Sequence, residues 1–209
     1  MNWKKIHRKI RKWMRKNRLV LQVGGVMLAI FIIALLIPNP DTEPVMVQDP
    51  NGGYHAFLDA LAMRESSDNY TLVNRYGYMG RYQMGGSALK DAGFKDKTGA
   101  WTSLARSYGI SSKETFLNSP AGQDAAVKAY HTKLCQYIRY YKLEKYIGST
   151  FCGIKVTKSG LLASCHLVGV GSMKKALASG TNAYDGNRTP ASEYMEKFGG
   201  YDISAVWGS

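Results

Sequence analysis

From Leu19 to Pro38 the chain reads LVLQVGGVMLAIFIIALLIP, with no charge and one polar side chain, Gln22. As a helix rising 1.5 Å per residue, this run spans about 30 Å, the hydrocarbon thickness of a bilayer. The pattern predicts one transmembrane helix over 19–38. A cleaved signal peptide would have a shorter apolar run and a small-x-small site, whereas this one ends Leu-Leu-Ile-Pro-Asn-Pro. Residues 38–53 then hold four of the six prolines and close on Asn51-Gly52-Gly53, which predicts an extended linker over 39–53.

From Tyr54 onward, apolar positions recur at helical spacing. Phe57, Leu58, Leu61 and Ala62 share one face of a helix over 54–63. Ser87 to Asp91 reads as a short helix with Gly93 as its stop. Ser119-Pro120 is an N-cap with proline at the first helical position. Beyond it Ala125, Ala126, Ala129, Tyr130, Leu134, Tyr137, Ile138 and Tyr141 build a long apolar face. Thr157 to Val168 and Met173 to Ala178 predict two more helices, the second ended by Gly180. Thr189-Pro190 opens another, which runs to Lys197 before Gly199-Gly200. There is no internal repeat and no long alternating strand. The fold class predicted for 54–209 is mostly α, one domain built on one core.

Charge changes the picture only at the amino end. The net charge of +13 invites a nucleic-acid reading, yet nine of the 28 Lys and Arg residues lie within 1–18, with no acid among them. The rest of the chain carries 19 bases against 15 acids. A basic segment ahead of the span and Asp41 and Glu43 after it orient the amino end to the cytoplasm and the domain to the far side. Trp3, Ile6, Ile10, Trp13 and Met14 form a partial apolar stripe that suits the inner membrane surface. The expected partner of residues 19–38 is the lipid bilayer, and no specific nucleic acid is expected. In an exported domain one disulfide can form among Cys135, Cys152 and Cys165, leaving a third thiol over. No Cys-x-x-Cys or Cys/His cluster has metal spacing, so neither a metal nor a cofactor is expected. Asp185-Gly186-Asn187 lacks the later ligands of a calcium loop and reads as a turn.

One carboxylate stands out. Glu65 lies four residues past Leu61, on the same side of the first helix as its apolar stripe. Poor solvation there disfavours the charged form and raises the pKa, which suits a general acid working near neutral pH. The stretch that follows, Gly77-Tyr78-Met79-Gly80-Arg81-Tyr82-Gln83-Met84-Gly85, interleaves glycines with aromatics and admits close approach of a ligand to the backbone.

This stretch resembles the goose-type lysozymes and lytic transglycosylases, enzymes that cleave peptidoglycan. Glu65-Ser66 matches their Glu-Ser, Tyr70 lies near their aromatic position, and Gly77 to Met84 matches their Gly-Ala-x-Gly-(aliphatic)-Met-Gln segment. Both glycines and Gln83 stand at the usual distance from the Glu. Asn74 stands where the family often has Ser, and Tyr82 where it usually has Met. Leu161 to Gly169 sits where the family carries an Ala-Tyr-Asn-x-Gly segment; His166 falls at about the Asn, the aromatic is missing and the Gly comes one residue late. Glu193 to Phe198 resembles the late segment whose Tyr, here Tyr194, approaches the acid. The resemblance spans about 54–200 and implies a lysozyme-like helical fold with Glu65 as the catalytic residue. Ser66, Asn74, Gly80, Tyr82, Gln83, Met84, His166 and Tyr194 would contact substrate or orient the carboxyl. His166 alone reads equally well as a core histidine. Arg139, Tyr140, Tyr141 and Tyr146 pack along the long helix with their polar ends at the rim more readily than they line a sugar groove.

Glycosidases ordinarily use two carboxylates. Asp59, Asp68 and Asp91 match no family catalytic position, so Glu65 stands alone. The resemblance then implies transglycosylation: Glu65 protonates the glycosidic oxygen, then as base activates the C6 hydroxyl of the N-acetylmuramoyl unit to give a 1,6-anhydro end. Lysozyme-type hydrolysis is the alternative, and a non-catalytic glycan-binding part of an envelope-spanning machine is another. A fifteen-residue linker reaches at most about 50 Å. Cleavage would be confined near the membrane, as a secretion apparatus, a pilus or an entering virus requires.

Overall fold

A computed structural model describes residues 53–208 of the chain. The basic segment 1–18, the transmembrane helix expected over 19–38 and nearly all of the linker lie outside the described residues. Among the described residues no helix is long and apolar enough to cross a membrane. The described part is mostly helical.

Helix α1 (Tyr54–Ser66) is three residues longer than its apolar pattern predicts, so Glu65 lies in its last turn. It buries Phe57, Leu58, Leu61 and Ala62. It stops because Ser67 and Asp68 turn left-handed, their amides bonding back to Met63 and Ala62 carbonyls. Three short helices follow: α2 (Gly86–Asp91), α3 (Ser103–Ser107) and α4 (Lys113–Leu117). Thr102 caps α3, and a Ser112/Thr115 capping box opens α4. The two five-residue helices escape a periodicity search because neither completes two turns.

The long helix α5 (Pro120–Tyr140) is the central strut. It packs against α2 and α4 on one flank and against α6 (Lys158–Val168) and α9 (Ser204–Trp207) on the other. Pro120 opens it as predicted, but the Ser119 hydroxyl donates to the Tyr108 carbonyl instead of capping the helix. Between α5 and α6 lie a 3-10 turn (Leu143–Tyr146) and a hairpin of β1 (Thr150–Phe151) and β2 (Ile154–Lys155). The hairpin pairs Thr150 with Lys155 and Phe151 with Ile154, too short a ladder to leave an alternating pattern. Helices α7 (Val170–Ser179) and α8 (Ala191–Lys197) complete the order. Pro190, expected as the first helical residue of α8, is its N-cap, so the helix begins one residue later, at Ala191. Tyr140 does not pack; it is 77% exposed, edge-on to Tyr141.

The three cysteines are free, which corrects the expected disulfide: Cys135 and Cys165 are buried in the α5–α6 core while Cys152 sits exposed in the hairpin turn. Burial pushes the Cys135 thiol up to about 12, so it is inert as a nucleophile at neutral pH.

Gln123 ties the loop before α2 to this frame. Its Oε1 accepts from the Arg81 amide (2.8 Å), and its Nε2 donates to the carbonyls of Tyr70 and Phe116 (both 2.9 Å). Gly80 must be glycine beside it: its φ is +76°, and a Cβ there would lie 2.0 Å from the Gln123 oxygen. Arg81 then reaches out to Asp59 and Asp68 and donates to the Tyr82 hydroxyl, which donates in turn to Asp124. Gln123→Ala leaves the Arg81 amide and the Tyr70 carbonyl without their partner, while the Phe116 carbonyl keeps the Ser119 amide at 3.1 Å, and each unpaired group costs about 1–3 kcal/mol. Urea unfolding is expected to show a loss of about 3 kcal/mol, and a loss below 1 kcal/mol would mean water replaces the side chain.

Candidate active site

Helix α8 brings Tyr194 back to a residue 129 positions earlier. It can do so because α8 lies almost on the backbone of α6. A Cβ on Gly160 would stand 2.4 Å from the Met195 carbonyl, and the Ser164 hydroxyl donates to the Ala191 carbonyl at 2.8 Å. From that seat the buried Tyr194 hydroxyl donates to Glu65 Oε1 at 2.8 Å. Arg64, one residue back, pairs with Glu193 and lies 5.8 Å from the Tyr194 ring centre.

Burial is the largest influence on the Glu65 carboxyl and raises its pKa from 4.5 to about 7. The Tyr194 hydrogen bond and the Arg64 charge pull the other way, and the Asp185 charge adds to the rise. Near neutral pH the group is therefore divided between acid and carboxylate, as a group that must give and then take a proton requires.

Glu65 opens into a trough of about 410 Å³, whose walls include Asn74, Gln83 and His166. A second hollow of about 400 Å³ shares Tyr76, Tyr78, Gln83 and His166 with the first and continues to Met84, Gly85 and Tyr130. Tyr76, Tyr78 and Tyr184 are exposed along the walls, flat faces of the kind on which pyranose rings stack. Gly85 makes room for one of them, since a Cβ there would lie 2.7 Å from the Tyr78 ring.

Gln83 sits in the wall under strain, with φ at +45°. Its Nε2 donates to the carbonyls of Gly80 (2.9 Å) and Leu72 (3.4 Å), which fixes the amide orientation. Its Oε1 is then a buried acceptor without a hydrogen-bond partner. A ligand hydroxyl or amide N–H in the trough would satisfy it.

The histidine part of the wall is kept neutral by a chain of hydrogen bonds that runs into the core. His166 Nε2 lies 3.3 Å from the Tyr82 carbonyl and must donate to it, so Nδ1 accepts. His131 Nε2, 3.0 Å away, is then the donor, and its Nδ1 accepts from the Tyr54 hydroxyl at 2.8 Å. Burial lowers His166 to about 4, against the pull of the Tyr82 carbonyl, and holds His131 well below its ordinary value, where the neighbouring His166 also opposes a charge.

Of the residues the sequence singles out, Glu65, Asn74, Gln83, Met84 and His166 share the trough, and Tyr194 bonds the carboxyl beneath it. Ser66, Gly80 and Tyr82 lie behind it. The Ser66 hydroxyl donates to the Arg81 carbonyl and accepts from the Asn69 amide, Gly80 makes the turn over Gln123, and the Tyr82 ring is core. Sequence reasoning missed Tyr76, Tyr184 and Asp185. The Asp185 carboxylate accepts from the amides of Asn187 and Thr189 in the expected turn, and it lines the same trough as Glu65. Its Asp-Gly-Asn turn signal was visible; its place in the Glu65 trough was not. Among the described residues no group of three or more His, Cys, Asp and Glu side chains could hold a metal.

A carboxyl whose folded pKa is raised binds its proton more tightly in the folded than in the unfolded chain. Stability is therefore lost as pH rises from 4.5 to about 7. Glu65→Gln removes that loss. The variant is expected to be more stable than the parent by up to about 3 kcal/mol at pH 8 and no more stable at pH 4, measured by urea unfolding at both. An equal difference at the two pH values would show that the carboxyl is not desolvated. Comparison with protein-family models, with curated proteins and with solved structures finds no match to this chain, so function must be argued from the trough itself.

Proposed function

We propose that this chain is a membrane-anchored lytic transglycosylase with a lysozyme-like helical domain, tethered through residues 19–38, that cuts peptidoglycan strands on the far side of the membrane. The observation that carries the reading is the Glu65 carboxyl, raised to about 7 and bonded by Tyr194, in a tyrosine-lined trough. The acid form of Glu65 gives its proton to the oxygen that links N-acetylmuramic acid to N-acetylglucosamine, and the C1–O bond breaks. The carboxylate then takes the proton of the C6 hydroxyl, whose oxygen closes onto C1. One proton crosses from O6 to the leaving oxygen by way of Glu65, and no water is consumed.

Gln83 supports this reading through its unpartnered oxygen, which suits an N-acetyl N–H or a sugar hydroxyl. Tyr194 supports it by steadying the carboxylate left after the first step. A second reading, hydrolysis, is favoured by Asp185, a carboxylate that lines the same trough with Oδ1 already held by two amides. There it would activate water against the departing bond.

Mass spectrometry of muropeptides released by the full chain separates the two. Transglycosylation predicts 1,6-anhydro ends, lighter by one water than reducing ends, with product formation reduced about 10³-fold in Glu65→Gln and little changed in Asp185→Asn. Reducing ends that disappear in Asp185→Asn would establish hydrolysis. Glu65→Gln as active as the parent would leave a glycan-binding protein.

The acid must be protonated in the free enzyme, so kcat/KM is expected to fall above about pH 7. Tyr194→Phe removes a donor that favours the charged carboxylate. It should move that alkaline limb up by about one unit, the size of one hydrogen bond to a charge. An unmoved limb would assign it to another group.

A further inference from the structure

The trough rim carries a contact that the proton transfer does not use. Tyr76 and Gly186, 110 positions apart in sequence, belong to two turns that both line the trough above Glu65. The Tyr76 hydroxyl donates to the Gly186 carbonyl at 3.2 Å. Arg75 Nη2 donates to that hydroxyl at 2.7 Å and to Asn187 Oδ1 at 3.1 Å, with its guanidinium 4.7 Å from the Tyr76 ring centre. All three bonds are exposed, whereas Glu65 is half-buried. The contact therefore joins the two walls on the solvent side and not beneath the floor.

Each turn holds its shape before they meet. Asn74 Oδ1 accepts from the amides of Tyr76 and Tyr78, and Gly77 takes φ +82° to let the chain double back. Asp185 Oδ1 does the same for Asn187 and Thr189. Two preformed turns joined by Arg75 and the Tyr76 hydroxyl lose little entropy on contact. Gly186 and Asn187 line the first hollow, and Tyr76 lines both hollows.

We propose that this bridge is a strap that makes the enzyme work from strand ends, and that Arg75 is the residue that sets this specificity. The inference rests on the glycan-strand reading above. An interior bond reaches Glu65 only if the polymer runs through the trough in both directions, and a strap bonded across the rim bars it from being laid in sideways. A strand end passes beneath. Exposed hydrogen bonds are individually weak, so the strap opens transiently and interior cutting is slowed and not abolished.

Arg75→Ala removes the Arg75–Asn187 bond across the rim and the donor that steadies the Tyr76 hydroxyl on Gly186, and it changes no residue that lines the trough. Long soluble glycan strands are digested by the full chain, and the fragments are sized from the first time points. The parent is expected to release short terminal fragments while long strands persist. In Arg75→Ala the ratio of terminal to interior cuts should fall about tenfold, the factor carried by one or two exposed hydrogen bonds. A second measurement does not need turnover: in Glu65→Gln protein, Arg75→Ala should increase binding to insoluble sacculi and leave binding to short soluble strands unchanged. Interior cutting by the parent from the outset, or identical size and binding profiles for the two, would overturn the strap while leaving cleavage intact. If no preparation cuts, the cleavage reading fails, and the binding pair alone then decides whether the strap governs access.

Discussion

Two facts about Glu65 oppose each other, and the molecule is arranged around their balance. Burial makes the charge expensive, while the Tyr194 hydroxyl at 2.8 Å makes it tolerable. Neither can be supplied locally, because a carboxylate in the last turn of an isolated helix would simply face water. The phenol has to be carried in from α8, and α8 reaches it only because Gly160 and Ser164 let it lie on α6 at backbone distance. α6 in turn leans on α5, so the strut, the glycine and the tyrosine are successive conditions for one proton.

The histidine part of the wall serves the same end by staying neutral. A protonated His166 lining the trough would stabilise the Glu65 carboxylate and pull its pKa down toward ordinary values. The Tyr54–His131–His166–Tyr82 chain prevents this, since every nitrogen already has a role in the uncharged tautomers and the rings are desolvated. Uncharged imidazoles carry their own stability cost at low pH. Their stabilising contribution is complete above about 6.5 and is lost as pH falls through the depressed folded values, opposite in sign to the Glu65 effect. The site is thus most at ease close to neutrality, where the acid is half-charged and the histidines are not.

The remaining polar groups of the trough are held by turns and not by helices. Asn74 and Asp185 each fold one turn by accepting backbone amides, and Gln83 is held at a positive φ with one oxygen left over. Strain and an unmatched acceptor in a wall are features a folding domain has no use for. They become intelligible as a surface prepared for a hydroxyl- and amide-bearing ligand.

Much of this was legible along the chain. The helices of the core announce themselves because burial of one face imposes a 3.6-residue period, and Pro120 and Gly180 mark their ends through φ alone. Glu65 could be singled out because its offset of four from Leu61 is a property of a single helix. The five-residue helices and the two-residue strands were not legible, since they are held by capping and by neighbours rather than by a pattern. Nor could the sequence divide Gln83, which faces the trough, from its neighbour Tyr82, which closes the core, because that depends on where a strained turn points. Linear order determined the helices, the candidate acid and the apolar run before them. Only the tertiary structure decided that Tyr194, Asp185 and Tyr76 converge on that acid, because the approach of Tyr194 and Asp185 across more than a hundred residues follows from how α5, α6 and α8 pack, and the place of Tyr76 from its turn, not from spacing along the chain.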